Sequence, residues 1–366
     1  MIKVFFDHQK FSTQRFGGIS RYFATIIDEI SRHSDFDFKL GVLYSDNHYI
    51  KVQHGELLNK IARKILHSEY GSRISRLNQA YCQYLLSRGE FDVFHPTYYD
   101  NYYLPRLKKP MVTTIHDMTH ERLPEYFWSM SPLTAQKRIN IEKADHIIAI
   151  SETTKKDLIE LSGVEEKKIS VIYHGIDLDT DLVYEEVPDM PDSFLLFVGD
   201  RSGYKNFYIF IDAFERLTKR YTDLHLILCG GGTLGIADQE LIKHKKLEKK
   251  ITHLNVSDGQ LNTLYKKAII FVYPSLYEGF GLPILEAFKA RCPIILSDIE
   301  CFKEVAGGAA LYFSKHNLDD LTEKLIYAID HPSFRERLVK SGLERIKLFP
   351  LGKSMEKTLD LYKKVV

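Results

Sequence analysis

Twelve short apolar runs punctuate this chain, separated by longer stretches of mixed polarity. In the first half they are Ile2–Phe6, Phe38–Tyr44, Val93–His95, Met111–Ile115, His146–Ile150 and Ile169–Tyr173. In the second half they are Phe194–Val198, Leu224–Cys229, Ile251–Leu254, Ile269–Tyr273, Pro293–Leu296 and Ala310–Phe313. Short runs rich in Ile, Val and Phe predict strands buried on both faces. The stretches between them have room for crossover helices, so the pattern predicts parallel βαβ units. Twelve strands are too many for one sheet, and two sheets are expected. The break falls at Asp177–Ser193, which is acidic, holds Pro188 and Pro191, and reads as a linker. The expected fold class is therefore α/β, with two Rossmann-like domains facing a cleft. The first domain is placed at 1–180 and the second at 190–350, with 351–366 as a helix returning to the first. Ligands of such sheets bind beyond the carboxyl ends of the strands, which makes the cleft the expected site.

Composition narrows the field. The chain has 366 residues, 44% hydrophobic and 27% charged, which suits a folded, water-soluble protein of two domains. Lys plus Arg number 50 against 49 Asp plus Glu, a net charge of +1, so nucleic acid is not expected as a partner. Cys82, Cys229, Cys292 and Cys301 form no C-x-x-C pair and read as reduced thiols of a cytoplasmic protein. The opening residues turn polar at Asp7, too early for a signal peptide. No apolar run reaches the roughly 18–20 residues of a membrane span.

Four stretches carry candidate chemistry. The first runs from Phe271 through Glu278, Gly279, Phe280, Gly281, Leu282 and Pro283 to Glu286. A strand, a glycine loop and a proline-started helix would aim the amides of Phe280, Gly281 and Leu282 at one spot, which suits a phosphate. Glu286, one turn into the helix, either reaches a neighbouring hydroxyl pair or complements the helix dipole. Glu278 is either a ligand contact or a solvated loop carboxylate. The second stretch, Gly199 to Asn206, carries Arg201 and Lys205 four residues apart. A guanidinium and an ammonium there either grip a diphosphate leaving group or form a solvated basic loop. The third is Gly17-Gly18 with Arg21, where a backbone can approach a ligand or simply turn into a helix. The fourth is His116-Asp117 at a strand end, where imidazole either meets a substrate hydroxyl or is structural. The histidines lack tight ligand spacing, so no metal is expected.

In this order, these motifs resemble glycosyltransferase family 4, the retaining nucleotide-sugar transferases of GT-B fold. The resemblance covers nearly the whole chain and is strongest from Phe194 to Phe313. Its core is the E-x7-E pattern from Glu278 to Glu286. Around it stand Arg201 and Lys205-Asn206, the stretch Asn255 to Leu261, and Pro293 to Asp298. Tyr173-His174-Gly175-Ile176-Asp177 and the Gly17-Gly18 stretch are similar to mannosyltransferases of bacterial surface-polysaccharide assembly.

The resemblance implies roles, residue by residue. Arg201 and Lys205 hold the donor diphosphate, with the amides of Phe280, Gly281 and Leu282. Glu286 binds the ribose hydroxyls and Glu278 touches the donor sugar. Val256 and Leu261 flank the base. Gly17 and Gly18 close over the phosphates from the first domain, and His116 faces the transferred sugar. It implies no metal or other cofactor, and retention by front-face attack without an enzymic nucleophile. The first donor expected is GDP-mannose, then UDP-sugars. The expected acceptor is a glycan or lipid-linked oligosaccharide, stacked on by Tyr98–Tyr103 and Tyr126–Trp128 unless these are packed anchors. Arg291 stands where the family commonly has glycine. Residues 59–76 carry Lys60, Arg63, Lys64, Arg73 and Arg76 against Glu69, a face that either rests on the inner face of the cell membrane or is solvated. Two rivals remain: a nucleotide-sugar-binding protein without catalysis, and a nucleotide-dependent oxidoreductase, which the missing G-x-G-x-x-G disfavours.

Overall fold

The computed structural model describes residues 1–50 and 71–366. Most of the basic segment 59–76 lies outside these residues. Of its cations only Arg73 and Arg76 are described, both exposed on the helix Gly71–Arg88.

All twelve apolar runs form strands: β1 (Ile2–Phe6), β2 (Phe36–Leu40), β3 (Val93–His95), β4 (Val112–Ile115), β5 (His146–Ala149), β6 (Ile169–Val171), β7 (Phe194–Val198), β8 (His225–Cys229), β9 (Ile251–Leu254), β10 (Ile270–Tyr273), β11 (Ile294–Ser297) and β12 (Leu311–Phe313). Among the described residues every strand pairing is parallel. Strand β2 stops earlier than its apolar run. Gly41 packs against Cys82 and Phe5, and the amides of Leu43 and Tyr44 donate to Oδ1 of Asn78 at 2.8 and 3.2 Å instead of to a neighbouring strand. A side-chain acceptor thus ends the ladder where hydrophobicity alone would extend it.

The chain divides into two compact units. The first comprises Met1–Glu121, Phe127–Tyr173 and Lys353–Val366. Its strands run β2-β1-β3 and β4-β5-β6, joined by a parallel bridge between Phe94 and Met111. Phe5, Phe91 and Phe94 pack ring on ring in its core. The last helix, Leu351–Val365, is fastened inside this unit by Tyr362, whose hydroxyl lies 2.7 Å from Nδ1 of His95.

The second unit comprises Arg122–Tyr126 and His174–Gly352. Its six-stranded sheet runs β12-β11-β10-β7-β8-β9. Strand order reverses between β7 and β10, and a crevice at the carboxyl ends of that pair is the usual ligand position in such sheets. The helix Phe207–Thr218 lays Phe207, Phe210 and Phe214 on Phe197 and Leu226. Each fully buried phenylalanine contributes roughly 1.5–3 kcal/mol to holding this helix on the sheet.

Asp177–Ser193 is no free linker. It lies in the second unit, strapped to the helix Asp258–Lys267. The Glu185 amide donates to Gly259 O at 3.2 Å, Thr263 Oγ1 to Glu185 O at 2.6 Å, and Gln260 Nε2 to Glu186 O at 3.0 Å. Lys289 Nζ donates to the carbonyls of Thr180 and Asp177. In each of these bonds the strap contributes a main-chain atom, and a sequence pattern based on side-chain periodicity does not register that.

Candidate functional site

The helix Leu282–Lys289 follows β10 through a tight loop. Its N-cap, Gly281, has φ of +91°, and a Cβ there would meet Phe302 at 3.0 Å and Ile284 at 3.1 Å. Only glycine takes this backbone without strain. Pro283 sits in the first turn, where a missing N–H costs little. The first-turn amides and the positive end of the dipole therefore face the space beyond β10. Phe280 is buried, with its ring 5.3 Å from His174 and 5.8 Å from Phe349.

Two residues that the sequence singled out separately meet here. Lys205, from the turn after β7, places Nζ 2.6 Å from Oε1 of Glu278, from the loop after β10. Ser275 Oγ donates to the same oxygen at 2.7 Å. Both charged side chains are only 13% exposed. Burial opposes the charge on Lys205, but Glu278 with Tyr273 and Tyr204 outweighs it and holds the ammonium well above its usual range. A cation–carboxylate pair thus stands at the switch point of the sheet, beside a helix N-terminus.

Arg201 turns the other way, toward β8. Its Nε donates to Asp238 Oδ2 at 3.0 Å. Nη1 donates to Gly230 O at 3.0 Å, and Nη2 reaches the carbonyls of Gly231, Gly232 and Thr233 at 3.2, 3.0 and 2.9 Å. Gly230, Gly231 and Gly232 all have positive φ, which aims consecutive carbonyls at one guanidinium. The spacing of Arg201 and Lys205 predicts a shared grip on one diphosphate, whereas in the fold the two cations have different partners. Asp238 and Ser275 escaped the sequence reading. Asp238 stands three residues after Gly235, at the third position of the helix Ile236–His244, a capping position that sequence does signal.

Glu286 lies within the helix Leu282–Lys289, 3.5 Å from the hydroxyl of Tyr265. Ser257 caps the helix Asp258–Lys267, which carries Leu261, and Val256 precedes that cap; both Val256 and Leu261 are partly exposed. Phe280, Gly281, Leu282, Glu278, Glu286, Val256, Leu261, Arg201 and Lys205 all belong to the second unit.

Gly17, Gly18 and His116 belong to the first. Gly18 opens the helix Gly18–Ile30, and a Cβ there would meet nothing within 4 Å. Among the described residues no neighbour requires glycine at that position. His116 directly follows β4, its amide donating to the Tyr99 hydroxyl at 3.1 Å and its ring edge-on to Tyr22 at 5.5 Å. Tyr99 and Tyr103 are buried anchors, while Trp128 is 70% exposed. Behind Asp117 lies a buried lysine that the sequence reading also missed, Lys137, which donates to Glu121 at 2.9 Å and to Asp117 O at 3.0 Å.

Among the described residues no group of three or more His, Cys, Asp or Glu side chains is placed to hold a metal ion. All four cysteines are buried and none is in a disulfide. No helix among the described residues is long and apolar enough to cross a membrane.

Known proteins share this fold. The fold matches sucrose-phosphate synthase from Thermosynechococcus elongatus with a TM-score of 0.76, at 17% identity, over 100% of this chain and 99% of that one. The O-antigen chain mannosyltransferase RfbU of Salmonella typhimurium is 31% identical over 57% of this chain and 58% of its own length. The N-acetylgalactosamine-N,N'-diacetylbacillosaminyl-diphospho-undecaprenol 4-alpha-N-acetylgalactosaminyltransferase of Campylobacter jejuni is 30% identical over 59% of this chain and 55% of its own length. The matched stretch thus spans less than two thirds of either relative. Residues 16–180 match Glycosyltransferase Family 4 and residues 184–345 match Glycosyl transferases group 1. With both halves matched and every strand pairing among the described residues parallel, the chain belongs to glycosyltransferase family 4, the group 1 glycosyl transferases of GT-B fold.

Proposed function

We propose that this protein transfers a hexose from a nucleotide diphosphate donor to a hydroxyl of a glycan or lipid-linked acceptor, with retention, in the assembly of a cell-surface polysaccharide. The observation that carries the reading is the Lys205–Glu278 pair at the β7–β10 switch point, beside the helix that starts at Leu282. A departing diphosphate gathers negative charge as the glycosidic bond breaks. An ammonium and first-turn amides at one sheet edge supply the matching positive potential. Lys205 holds the diphosphate, and Glu278 passes from its ion pair to a hydroxyl of the donor sugar. Glu286 takes the ribose hydroxyls, and Val256 and Leu261 flank the base. Arg201 fixes the glycine turn after β8 and joins the diphosphate grip when that turn opens. His116 and Gly18 serve from the first unit, His116 at the transferred sugar and Gly18 at the phosphates. The departing phosphate takes the acceptor proton, so no side chain acts as nucleophile.

Mannose from GDP-mannose is the first donor, supported by the likeness to the Salmonella mannosyltransferase. A lipid diphosphate acceptor is supported by the name of the Campylobacter relative. The work is placed on the inner face of the cell membrane, where nucleotide sugars and lipid carriers meet. Calorimetric titration with GDP, UDP and ADP, followed by transfer assays with sugars of the tightest-bound nucleotide, tests the reading. A single preferred nucleotide, with affinity lost in Glu286→Ala, is expected. Equal, weak binding of all three would overturn it.

A further inference from the structure

The first unit contains a cation that lacks an anion. Lys10 lies in the short helix Gln9–Thr13 that follows β1, and its amide donates to Thr97 Oγ1 at 3.1 Å. Its Nζ stands 3.3 Å from the centre of the Tyr98 ring, and among the described residues that ammonium has no hydrogen bond and no ion pair. The carboxylates nearby are engaged elsewhere. Asp7 accepts from Thr97 N and Oγ1 at 2.8 and 2.6 Å, from Gln9 Nε2 at 2.7 Å and from the Tyr102 hydroxyl at 3.2 Å. Asp117 accepts from the Thr119 amide at 2.9 Å and has Lys137 at 4.0 Å. Burial lowers the pKa of Lys10 to about 8, and the field of Asp117 only partly offsets it.

These residues follow the carboxyl ends of strands in the two adjoining three-stranded sheets of the first unit. Lys10 follows β1, Tyr98 follows β3, and His116 with Asp117 follows β4. β1 pairs with β3, and the Phe94–Met111 bridge joins β3 to the strand region of β4. All are carboxyl ends, where such sheets take ligands. An aromatic face attracts an ammonium but accepts no ordinary hydrogen bond, so all three N–H donors of Lys10 remain to be used. Holding a partly buried ammonium in this way costs free energy unless an arriving anion completes it.

We propose that Lys10 binds a phosphoryl group of the acceptor substrate, with Tyr98 as the wall that holds the ammonium in place. The proposal rests on the transferase reading for the identity of the ligand, but the binding site itself does not depend on transfer. An anionic oxygen would accept from the Lys10 ammonium in a charge-assisted hydrogen bond. The site therefore selects acceptors whose glycan is joined to its carrier by phosphate or diphosphate, over the same glycan alone.

An amine whose pKa is about 8 reacts with acetic anhydride ahead of ordinary lysines, which makes occupancy readable without any transfer. The full-length protein is acetylated in limiting reagent, and the modification of Lys10 is quantified by peptide mass spectrometry. Two probes are compared: a short-chain prenyl diphosphate saccharide, and the methyl glycoside of the same saccharide. The expected result is at least tenfold protection of Lys10 by the diphosphate and none by the glycoside. In parallel, Lys10→Met should weaken binding of the diphosphate probe by 10- to 100-fold, Lys10→Arg should retain most of it, and affinity for nucleoside diphosphate should not change. Equal protection by both probes, protection by neither, or undiminished binding in Lys10→Met would overturn the proposal. Should Lys10 be protected while no nucleotide sugar supports transfer, the transferase reading fails and the anion site stands. Should transfer proceed with Lys10 unprotected, the reverse holds.

Discussion

Lys205 Nζ and Glu278 Oε1 are 2.6 Å apart, and each side chain is only 13% exposed. The residues are 73 positions apart in the chain, brought together because β7 and β10 are neighbours. Breaking one side of such a pair leaves a nearly buried charge, at a cost of about 3–5 kcal/mol. Lys205→Met should therefore lower the unfolding free energy by that order, and the double variant Lys205→Met with Glu278→Gln should regain much of it. Nucleotide binding should behave differently. Losing the ammonium removes a charge-assisted contact of about 1.5–3 kcal/mol, roughly 10- to 150-fold in affinity for a nucleoside diphosphate. Glu278→Gln leaves the ammonium available and should keep or tighten that affinity while lowering turnover. Denaturant titration and calorimetry of the three variants separate the effects. Additive losses in both measurements would mean that the pair is not coupled.

Arg201 should matter first for stability. Its guanidinium holds four carbonyls and the buried carboxylate of Asp238. Arg201→Ala should cost about 1–3 kcal/mol and speed amide exchange across Gly230–Asp238. Arg201→Lys should not rescue it, because a single ammonium cannot reproduce the planar fork. Full stability with reduced nucleotide affinity would instead make Arg201 a ligand contact only.

Much of the fold is legible in the residues, and the reason is physical. Strands such as Phe194–Val198 and Ile270–Tyr273 are covered on both faces, so their burial is written as unbroken apolar runs. Gly281 with Pro283 is legible because only those residue types suit those backbone positions. What depends on long-range pairing is not written locally. Nothing near Arg201 announces that the carbonyls it holds lie 29 to 32 positions away. The acidic stretch around Glu185 reads as a linker because its attachments, main-chain carbonyls together with the Glu185 carboxylate and the Tyr184 ring, are made to a helix more than 70 positions away. Lys10 and Lys137 look like surface lysines until the fold buries their ends against Tyr98 and Glu121.

Gly18 supplies a sharper test of the first unit. A side chain there meets nothing within 4 Å, so Gly18→Ala should fold normally with stability undiminished. If a donor phosphate approaches this backbone, the added methyl should lower kcat/KM at least tenfold. A stable variant with wild-type kcat/KM would make Gly17-Gly18 a helix start and nothing more.

Two buried histidines should make the fold acid-sensitive. Burial lowers the pKa of His95 from 6.5 to about 3 and that of His174 from 6.5 to about 4. Below pH 6.5 the unfolded chain binds protons that the folded one refuses. Their stabilisation is therefore complete above that pH and is lost as pH falls toward those folded values. Each contributes a slope of up to about 1.4 kcal/mol per pH unit in that window. His95→Gln should flatten the fall between pH 6.5 and 4. An unchanged slope would show that His95 is not neutral in the fold for the reason given.

The central claim is sugar transfer from a nucleotide diphosphate by the site around Lys205 and Glu278. Its most direct test is the transfer of radiolabelled mannose from GDP-mannose, with UDP-glucose and UDP-N-acetylglucosamine alongside, into a lipid-linked glycan extract. The account predicts label in the lipid fraction from one donor, at least a hundredfold less with Lys205→Met, and retained anomeric configuration in the product. No incorporation from any nucleotide sugar, or full incorporation by Lys205→Met, would contradict it.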